Sequence, residues 1–271
     1  MDVIYHYGCV DGFTAAYCVW LKHPGATFHE GKFGTPPPEL KPGAEVMIVD
    51  FSYSRDELLR LARTAKSVTI LDHHITAQEH LVDLPPNCTC VFDMERSGAS
   101  ITWDYLFENS ERTPLIEYVQ DNDLWTRALP GTLAVAAYMR SREMDFQTWL
   151  KLDGLLQRDM TRVLDLGQAI LARQEQIIAE TICNARDFVV EGYAVKGVAS
   201  PYSLGSEIAG RLAVNKPFGL YYVDKPNERL FGLRSAEDGI DVAHLAERFG
   251  GGGHKHAAGF RVPIDHPLAK V

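Results

Sequence analysis

The sequence predicts an α/β protein with an N-terminal parallel-sheet domain, a helical connector and a smaller C-terminal α/β domain. Three observations support this prediction. Short β-branched segments alternate with helical patterns over the first part of the chain, a long helical stretch follows, and short strands and helices then return. We place the three parts at residues 1–140, 141–186 and 187–271.

Five short apolar segments of the first domain have the length and composition of strands. Helical patterns lie between them, and such crossovers join parallel strands with a right-handed connection. Ligands of a parallel sheet bind at the carboxyl ends of its strands. The predicted strands are Val3–Tyr5, Ala26–Phe33, Val46–Asp50, Val68–Leu71 and Thr89–Phe92.

The predicted connector is a helical stretch from Phe146 to Arg186, with apolar residues three and four positions apart. Gly154 and Gly167 lie inside it, and each would allow a break in the helix. After it, strand-like segments such as "FVVEGYAVKGVAS" and "RLFGLRSA" alternate with helical ones such as "LGSEIAGRLA". This pattern predicts the second α/β domain.

Composition and charge limit the classes of function. The chain has 271 residues, of which 46% are hydrophobic and 23% charged, as is typical of a globular protein. Its net charge of −9 is unlike that of proteins that hold long nucleic acid through a basic face. No segment has the roughly 18 apolar residues of a membrane span, and no signal peptide is recognisable. We therefore expect a cytoplasmic protein that binds neither membranes nor long duplexes.

Residues that commonly bind metals follow the predicted strands. Because the carboxyl ends of parallel strands meet at one edge of a sheet, we expect these side chains to converge. Carboxylates combined with imidazoles suit manganese, iron or zinc, whereas magnesium prefers oxygen ligands alone. The five cysteines include no C-x-x-C pair, which disfavours a zinc ribbon. The metal-binding types are His6, Asp11, Asp50, Asp72, His73, His74, Asp121 and Asp123.

Four segments of the chain resemble motifs of the DHH phosphoesterases. "DHH" at 72–74 is similar to the signature of that family, and "VDFS" at 49–52 and "QDNDLW" at 120–125 resemble its second and fourth motifs. "RFGGGGHKHAAGF" at 248–260 resembles the hallmark of the associated DHHA1 domain. The family includes single-strand exonucleases, nanoRNases (oligoribonuclease-like enzymes), phosphatases of 3′-phosphoadenosine 5′-phosphate and cyclic-dinucleotide phosphodiesterases. Its members typically hold two manganese ions.

The resemblance implies a role for each motif residue. Asp50 would bridge two manganese ions, and His74 would face the substrate phosphate. Asp72 would be either a ligand or a partner that fixes an imidazole. Asp123 is the rival of Asp121 for the fourth-motif position. The further ligands implied are His6, Asp11, His73 and Asp121.

Cys9 departs from the family pattern. It stands where many members have the first of two aspartates. The thiol could act as a ligand and favour softer ions, or the first metal could have fewer protein ligands or bind weakly. Because free cysteines usually pack as small hydrophobes, we expect Cys9 not to be a ligand.

The glycine-rich segment is expected to bind substrate. Gly252 and Gly253 would let backbone amides approach a phosphate, helped by the start of a following helix. His254, Arg234 and the neighbouring Ser235 are the candidates for holding the terminal phosphate of the substrate, since a guanidinium binds phosphate bidentately. A further phosphate candidate, in the first domain, is Arg96.

Together these features predict a metal-dependent phosphodiesterase. It would hydrolyse very short oligonucleotides, such as linear dinucleotides, to mononucleotides by a water activated between two metal ions. The alternatives are a phosphatase of 3′-phosphoadenosine 5′-phosphate, a cyclic-dinucleotide phosphodiesterase, and a nucleotide sensor without catalysis. The family resemblance is compatible with a homodimer.

Overall fold

The computed structural model describes residues 1–32 and 34–270. It divides into two compact units, Met1–Leu171 and Ala172–Val271, each with a hydrophobic core of its own. Residues of the predicted connector belong to both units, and the three-part division placed at 140 and 186 stays a prediction. No helix in the described part of the chain combines the length and the apolar character that crossing a bilayer requires.

The N-terminal unit contains the predicted parallel sheet, which confirms the fold class. Every pair of neighbouring strands is parallel, and the spatial order is β2-β1-β3-β4-β5. The bounds agree with the predicted strands to within two residues, except that Phe33 lies outside the described residues. The strands are β1 (Asp2–His6), β2 (Thr27–Gly31), β3 (Glu45–Val49), β4 (Ser67–Asp72) and β5 (Cys88–Phe92).

Helices cover both faces of this sheet. Successive side chains of a strand point to opposite faces, so each central strand contributes to two cores. Val3, Val49 and Leu71 lie in one core, and Ile4, Ile48 and Ile70 in the other. The helices of the unit are α1 (Val10–Lys22), α2 (Arg55–Thr64), α3 (Ile75–Gln78), α4 (Gly98–Leu106), α5 (Pro114–Asp123), α6 (Thr132–Arg140) and α7 (Phe146–Arg158).

The strand register aligns the polar residues that follow the apolar segments. Tyr5 pairs with Val49, and Val49 pairs with Leu71. The next residue of each chain segment therefore lies at the same carboxyl edge of the sheet. These residues are His6, Asp50 and Asp72.

The predicted connector is interrupted at a residue other than the two glycines. Helix α7 ends at Arg158, and α8 (Met160–Ile182) begins after Asp159, whose carboxylate accepts a hydrogen bond from the backbone amide of Arg162 at 3.1 Å. An aspartate at this position caps the new helix. Gly167 lies inside α8, and the helix does not break there. The residue must be glycine because a Cβ would overlap the Ala134 carbonyl of α6.

The C-terminal unit has a six-stranded sheet in the order β10-β11-β9-β8-β7-β6, with helices, as predicted for a second α/β domain. Among the described strands of this second sheet, only β7 and β8 pair in parallel. The elements are β6 (Arg186–Val190), β7 (Tyr193–Ala199), α9 (Tyr202–Leu212), β8 (Gly219–Asp224), β9 (Glu228–Arg234), α10 (Val242–Glu247), β10 (Gly252–His254) and β11 (Ala257–Pro263).

The expected helix after the glycines is wrong. The chain forms the hairpin of β10 and β11 instead. Ala258, Phe260 and Val262 are buried in the core while the residues between them are less covered. This spacing of two is the period of a strand, and it decides against a helix at this position.

Candidate metal centre

Asp50 lies at the centre of the carboxyl edge of the sheet. Only 1% of its surface is exposed, and its φ of 62° lies in the left-handed region that few non-glycine residues adopt. Residues held in such a conformation are concentrated at functional sites. Two glycines at helix starts make room for it, because a Cβ at Gly98 would overlap Asp50 and one at Gly12 would lie 3.0 Å from Asp50 Oδ2.

Three groups of possible metal ligands meet around Asp50. Within each group the ligand atoms lie within 4.8 Å of one another. Asp50 belongs to two groups and His73 to two, so the three groups form one continuous cluster. The groups are His6, Cys9 and Asp50; Asp50, His73 and His74; and Asp11, His73 and Asp123.

His73 joins the carboxylates of the cluster. Its Nε2 lies 3.2 Å from Asp50 Oδ1, 3.7 Å from Asp123 Oδ2 and 3.8 Å from Asp11 Oδ2. Three carboxylates around one imidazole repel each other unless a cation or protons compensate their charge. The geometry therefore concentrates negative charge at one buried point.

The electrostatics of the carboxyls reflect this concentration. Burial and then the charge of Asp50 raise the pKa of Asp11, and the same two causes raise the pKa of Asp123. For Asp50 burial opposes ionisation, but interactions with His6 and His73 outweigh it and hold its pKa below the usual range. Among these three carboxyls, Asp50 is the one whose charged form is favoured by its neighbours.

The side chains fit a divalent metal. Among the described residues, His6 Nδ1 and Asp50 Oδ2 are both buried without a hydrogen-bond partner, although they lie 3.3 Å apart. Two buried polar atoms at this distance are costly unless they share a proton or bind a cation. Their mixture of nitrogen and oxygen suits a divalent transition metal.

Asp11 connects the cluster to a second helix. Its carboxylate accepts hydrogen bonds from the backbone amides of Gly98 at 2.6 Å and Ala99 at 3.0 Å. A carboxylate at the start of α4 satisfies amides that have no partner within the helix. Asp11 therefore fixes α4 against α1 and also offers an oxygen to the cluster.

Asp72 orients His74. Its Oδ1 accepts hydrogen bonds from the backbone amides of His73 and His74 and lies 2.8 Å from His74 Nδ1. The hydrogen bond to Asp72 raises the pKa of His74, against the effect of burial. Asp72 belongs to none of the three groups, so the structure favours the role of partner, and the imidazole it fixes is that of His74.

Comparison with known proteins relates the fold to solved structures, although no family model matches the chain. The DHH domain of a member of a family of ribosomal proteins superposes with a TM-score of 0.57 at 12% identity, over 95% of this chain and 82% of that one. The fold is that of a DHH domain.

Two further proteins are similar to the chain. A pGpG-specific phosphodiesterase of Vibrio cholerae gives a TM-score of 0.53 at 14% identity, over 97% of this chain and 94% of that one. An uncharacterized protein of Acanthamoeba polyphaga mimivirus is 29% identical over 282 residues, which cover 95% of this chain. The chain spans 66% of the length of that viral protein.

The segment that resembles a fourth DHH motif requires a correction, from Asp121 to Asp123. The Asp121 carboxylate accepts hydrogen bonds from Ala128 N at 2.8 Å and Leu129 N at 3.0 Å, and from the hydroxyls of Thr126 and Thr132. Burial opposes its ionisation, but these hydrogen bonds outweigh burial and lower its pKa. Side chains two positions apart in a helix point about 200° apart around its axis, so Asp121 and Asp123 face different surroundings.

Cys9 lies nearer to the cluster than we expected. It precedes α1 as its N-cap without a side-chain hydrogen bond, and its Sγ groups with His6 and Asp50. Burial and the charges of Asp50 and Asp11 raise the pKa of the thiol. The raised pKa disfavours the thiolate, but the grouping of its Sγ with His6 and Asp50 supports the alternative in which Cys9 is a ligand.

Arg96 has less capacity to bind phosphate than we expected. Its Nε lies 2.7 Å from Asp93 Oδ2, and its Nη1 lies 2.8 Å from Asp104 Oδ2. Arg112 binds the same Asp104. Two carboxylates already compensate the charge of Arg96, so we withdraw it as a phosphate ligand.

The C-terminal unit contains a cleft of about 410 Å³ beside the glycine segment. Arg234 and Gly252 line it, as does the 69% exposed Tyr202. Arg234 Nε donates a hydrogen bond to Ser206 Oγ at 2.8 Å, which fixes the guanidinium. The sequence analysis missed Tyr202 and Ser206. Ser206 lies in the first turn of the predicted "LGSEIAGRLA" helix, and Tyr202 lies two residues before that segment.

The other three predicted substrate residues do not line this cleft. Ser235 Oγ donates to the Ile240 carbonyl at 2.8 Å and lies 3.0 Å from His256 Nδ1, so it stabilises a turn. Gly253 and His254 belong to β10, and a Cβ at Gly253 would lie 2.5 Å from the Ala257 carbonyl. These residues shape the hairpin.

Proposed function

We propose that this protein is a metal-dependent phosphodiesterase that hydrolyses very short oligonucleotides, linear dinucleotides in particular, to mononucleotides. The observation that carries the proposal is the continuous cluster of three ligand groups joined by Asp50 and His73. Such a cluster provides donors for two neighbouring ions, and carboxylate and imidazole donors together are compatible with manganese.

In this proposal the residues of the cluster divide into two sets around Asp50. His6 and Cys9 hold one ion, and Asp11, His73 and Asp123 hold the other. When bound, divalent ions activate water for attack on phosphorus and neutralise phosphoryl charge. Asp72 accepts from Nδ1 of His74, which leaves Nε2 for a phosphate oxygen of the substrate.

Three observations support a short nucleotide as substrate. The net charge of −9 is unfavourable for binding a long polyanion. The cleft of the C-terminal unit has the volume of a small-molecule site and is lined by two guanidiniums, that of Arg234 and that of Arg261, the latter 3.5 Å from Glu228 Oε1. A pGpG-specific phosphodiesterase of the same fold matches over nearly its whole length, which is consistent with a dinucleotide.

A product analysis tests the proposal. The purified protein with manganese is offered a 5′-phosphorylated linear dinucleotide, a five-nucleotide RNA, a cyclic dinucleotide and 3′-phosphoadenosine 5′-phosphate. We expect the linear dinucleotide to be converted fastest, with mononucleotides as products. Faster conversion of either of the last two would replace the proposed substrate, and bound metal without any cleavage would indicate a sensor.

A further inference from the structure

The segment after α5 displays an aromatic ring and a cation. Trp125 is 73% exposed, and the guanidinium carbon of Arg127 lies 4.2 Å from the centre of its ring. Both residues have positive φ, 58° and 48°, which bulky side chains rarely adopt. An exposed tryptophan held in such a conformation is a candidate binding surface.

Asp121 fixes the conformation of this segment. Its carboxylate binds the amides of Ala128 and Leu129 and two threonine hydroxyls, and its carbonyl accepts from Arg127 N at 3.1 Å. These contacts hold the backbone of the turn on both sides of Trp125. The ring is therefore presented on a defined backbone, which reduces the entropy lost when it binds a ligand.

The cation beside Trp125 lacks a carboxylate partner. Within residues 1–32 and 34–270, Arg127 has no carboxylate oxygen within ion-pair distance, although its guanidinium lies over the ring of Trp125. Arg96 and Arg112 of the same unit are both paired with Asp104. Trp125 therefore has a cation without an ion-pair partner on one face of its ring, in a protein of net charge −9.

The ring also lies close to the metal cluster along the chain. Trp125 follows Asp123 by two residues, which places their Cα atoms within about 7 Å of each other. Asp123 Oδ2 is 3.7 Å from His73 Nε2. The backbone that carries Trp125 therefore continues directly from a residue of the cluster.

We propose that Trp125 is a base-stacking residue for the nucleotide substrate, with Arg127 on one face of its ring and a nucleobase on the other. The positive charge of Arg127 attracts the phosphate of the same nucleotide. This inference rests on the proposed function, because it names a specificity-determining residue of that site. Stacking on an indole accepts any base, so it provides affinity for nucleotides without selecting among bases.

Fluorescence gives a direct test that does not depend on catalysis. Of the four tryptophans, Trp149 and Trp103 are buried and Trp20 is partly covered, so Trp125 is the one that a ligand can reach. AMP should quench the fluorescence of the manganese-loaded protein, whereas ribose 5-phosphate, which has no base, should not. Trp125→Phe should remove the quenching by AMP.

Calorimetry measures the contribution of the ring to affinity. Trp125→Ala should raise the Kd for AMP roughly 10- to 100-fold and leave the Kd for ribose 5-phosphate within about twofold. Arg127→Ala should weaken both ligands, because it removes charge. The matched controls are Tyr105→Ala, at an exposed aromatic near the C-terminal end of α4, and Arg63→Ala, at an exposed arginine of α2. Neither substitution should change either Kd.

The outcomes separate this inference from the proposed function. If the protein hydrolyses dinucleotides but Trp125→Ala leaves the Kd for AMP and the KM unchanged, the stacking role is wrong and the function stands. If AMP fails to bind the wild-type protein, the stacking role is also wrong. If no nucleotide is hydrolysed but AMP quenches Trp125 and the alanine variant loses affinity, stacking stands and the hydrolase proposal fails.

Discussion

The two units use charge in opposite ways. In the N-terminal unit, Asp11 and Asp50 are each 1% exposed, and their carboxylates crowd around the imidazole of His73. In the C-terminal unit, the cleft is lined by two arginines, Arg234, which Ser206 fixes, and Arg261, together with glycine backbone and tyrosine rings. Buried like charges require a counter-ion, whereas an open cleft of this kind is stable without a ligand.

This difference predicts different consequences of mutation. Loss of a cluster residue removes stabilisation of the transition state and lowers kcat, because additional charge develops on the phosphoryl group only in the transition state. Loss of a cleft residue removes binding that substrate and transition state share, and raises KM.

Replacement of Asp50 should have the largest effect. We expect Asp50→Asn to lower kcat at least about 1,000-fold, equivalent to about 4 kcal/mol of transition-state stabilisation, because the shared ligand loses its charge. Asparagine tolerates positive φ, so the fold should remain. Steady-state kinetics with manganese measures the effect, and the far-ultraviolet circular dichroism spectrum checks the fold.

Asp153→Asn is the matched control, since Asp153 is a buried aspartate outside the cluster that accepts from Tyr17 at 3.2 Å. It should keep kcat. Manganese at about 100 times its Kd should also stabilise the wild-type protein by about 2.7 kcal/mol, and Asp50→Asn should lose this gain. A variant of Asp50 with near wild-type turnover would contradict the metal centre.

The two aspartates of the fourth motif should separate activity from stability. We expect Asp123→Asn to lower kcat about 100-fold with little change in Tm, because it removes a metal ligand. Asp121→Asn should instead lower the free energy of unfolding by about 1–3 kcal/mol, because buried donors lose their acceptor. Urea denaturation and kinetics on both variants measure this; the reverse pattern would restore Asp121 as the ligand.

Removal of the Arg234 guanidinium should act on binding. We expect Arg234→Ala to raise KM roughly 10- to 100-fold with kcat nearly unchanged, since a charged hydrogen bond contributes about 1.5–3 kcal/mol. Arg186→Ala, at an exposed arginine of β6, serves as control and should leave KM unchanged. An equal fall of kcat and kcat/KM in Arg234→Ala would show that the guanidinium acts in the transition state instead.

Two neighbouring glycines should give the smallest effects and distinguish binding from packing. A Cβ at Gly252 would meet no described atom within 4 Å, so Gly252→Ala should raise KM a few-fold, roughly 1 kcal/mol, at constant Tm. A Cβ at Gly251 would lie 2.6 Å from Phe260 Cβ, so Gly251→Ala should lower stability by about 1–3 kcal/mol. Equal Tm and KM for both variants would count against a ligand approaching Gly252.

The sequence predicted the parts of the molecule that depend on local pattern. Runs such as Val46–Asp50 are β-branched and apolar, and the helical patterns between them require parallel strands. The carboxyl edge follows from this topology, and with it the meeting of His6, Asp50 and His73. The convergence of these residues could be predicted without knowing the position of any side chain.

Local pattern also held a signal that we misread. The spacing of two in Ala258, Phe260 and Val262 indicates a strand, yet the glycines before them suggested the start of a helix. Glycine permits either conformation, so the buried side chains decide. In the connector, the capping aspartate Asp159 interrupts the helix, and the two glycines do not.

Only the tertiary structure could assign the charged residues. Whether an aspartate caps a turn, as Asp121 does, or faces a metal cluster, as Asp123 does, depends on partners brought from other segments. The same is true of Arg96, which Asp93 and Asp104 compensate. Sequence periodicity predicts where strands end, because the alternation of side chains is a property of the local backbone. The role of a charged residue depends on its burial and its neighbours, which only the packed chain provides.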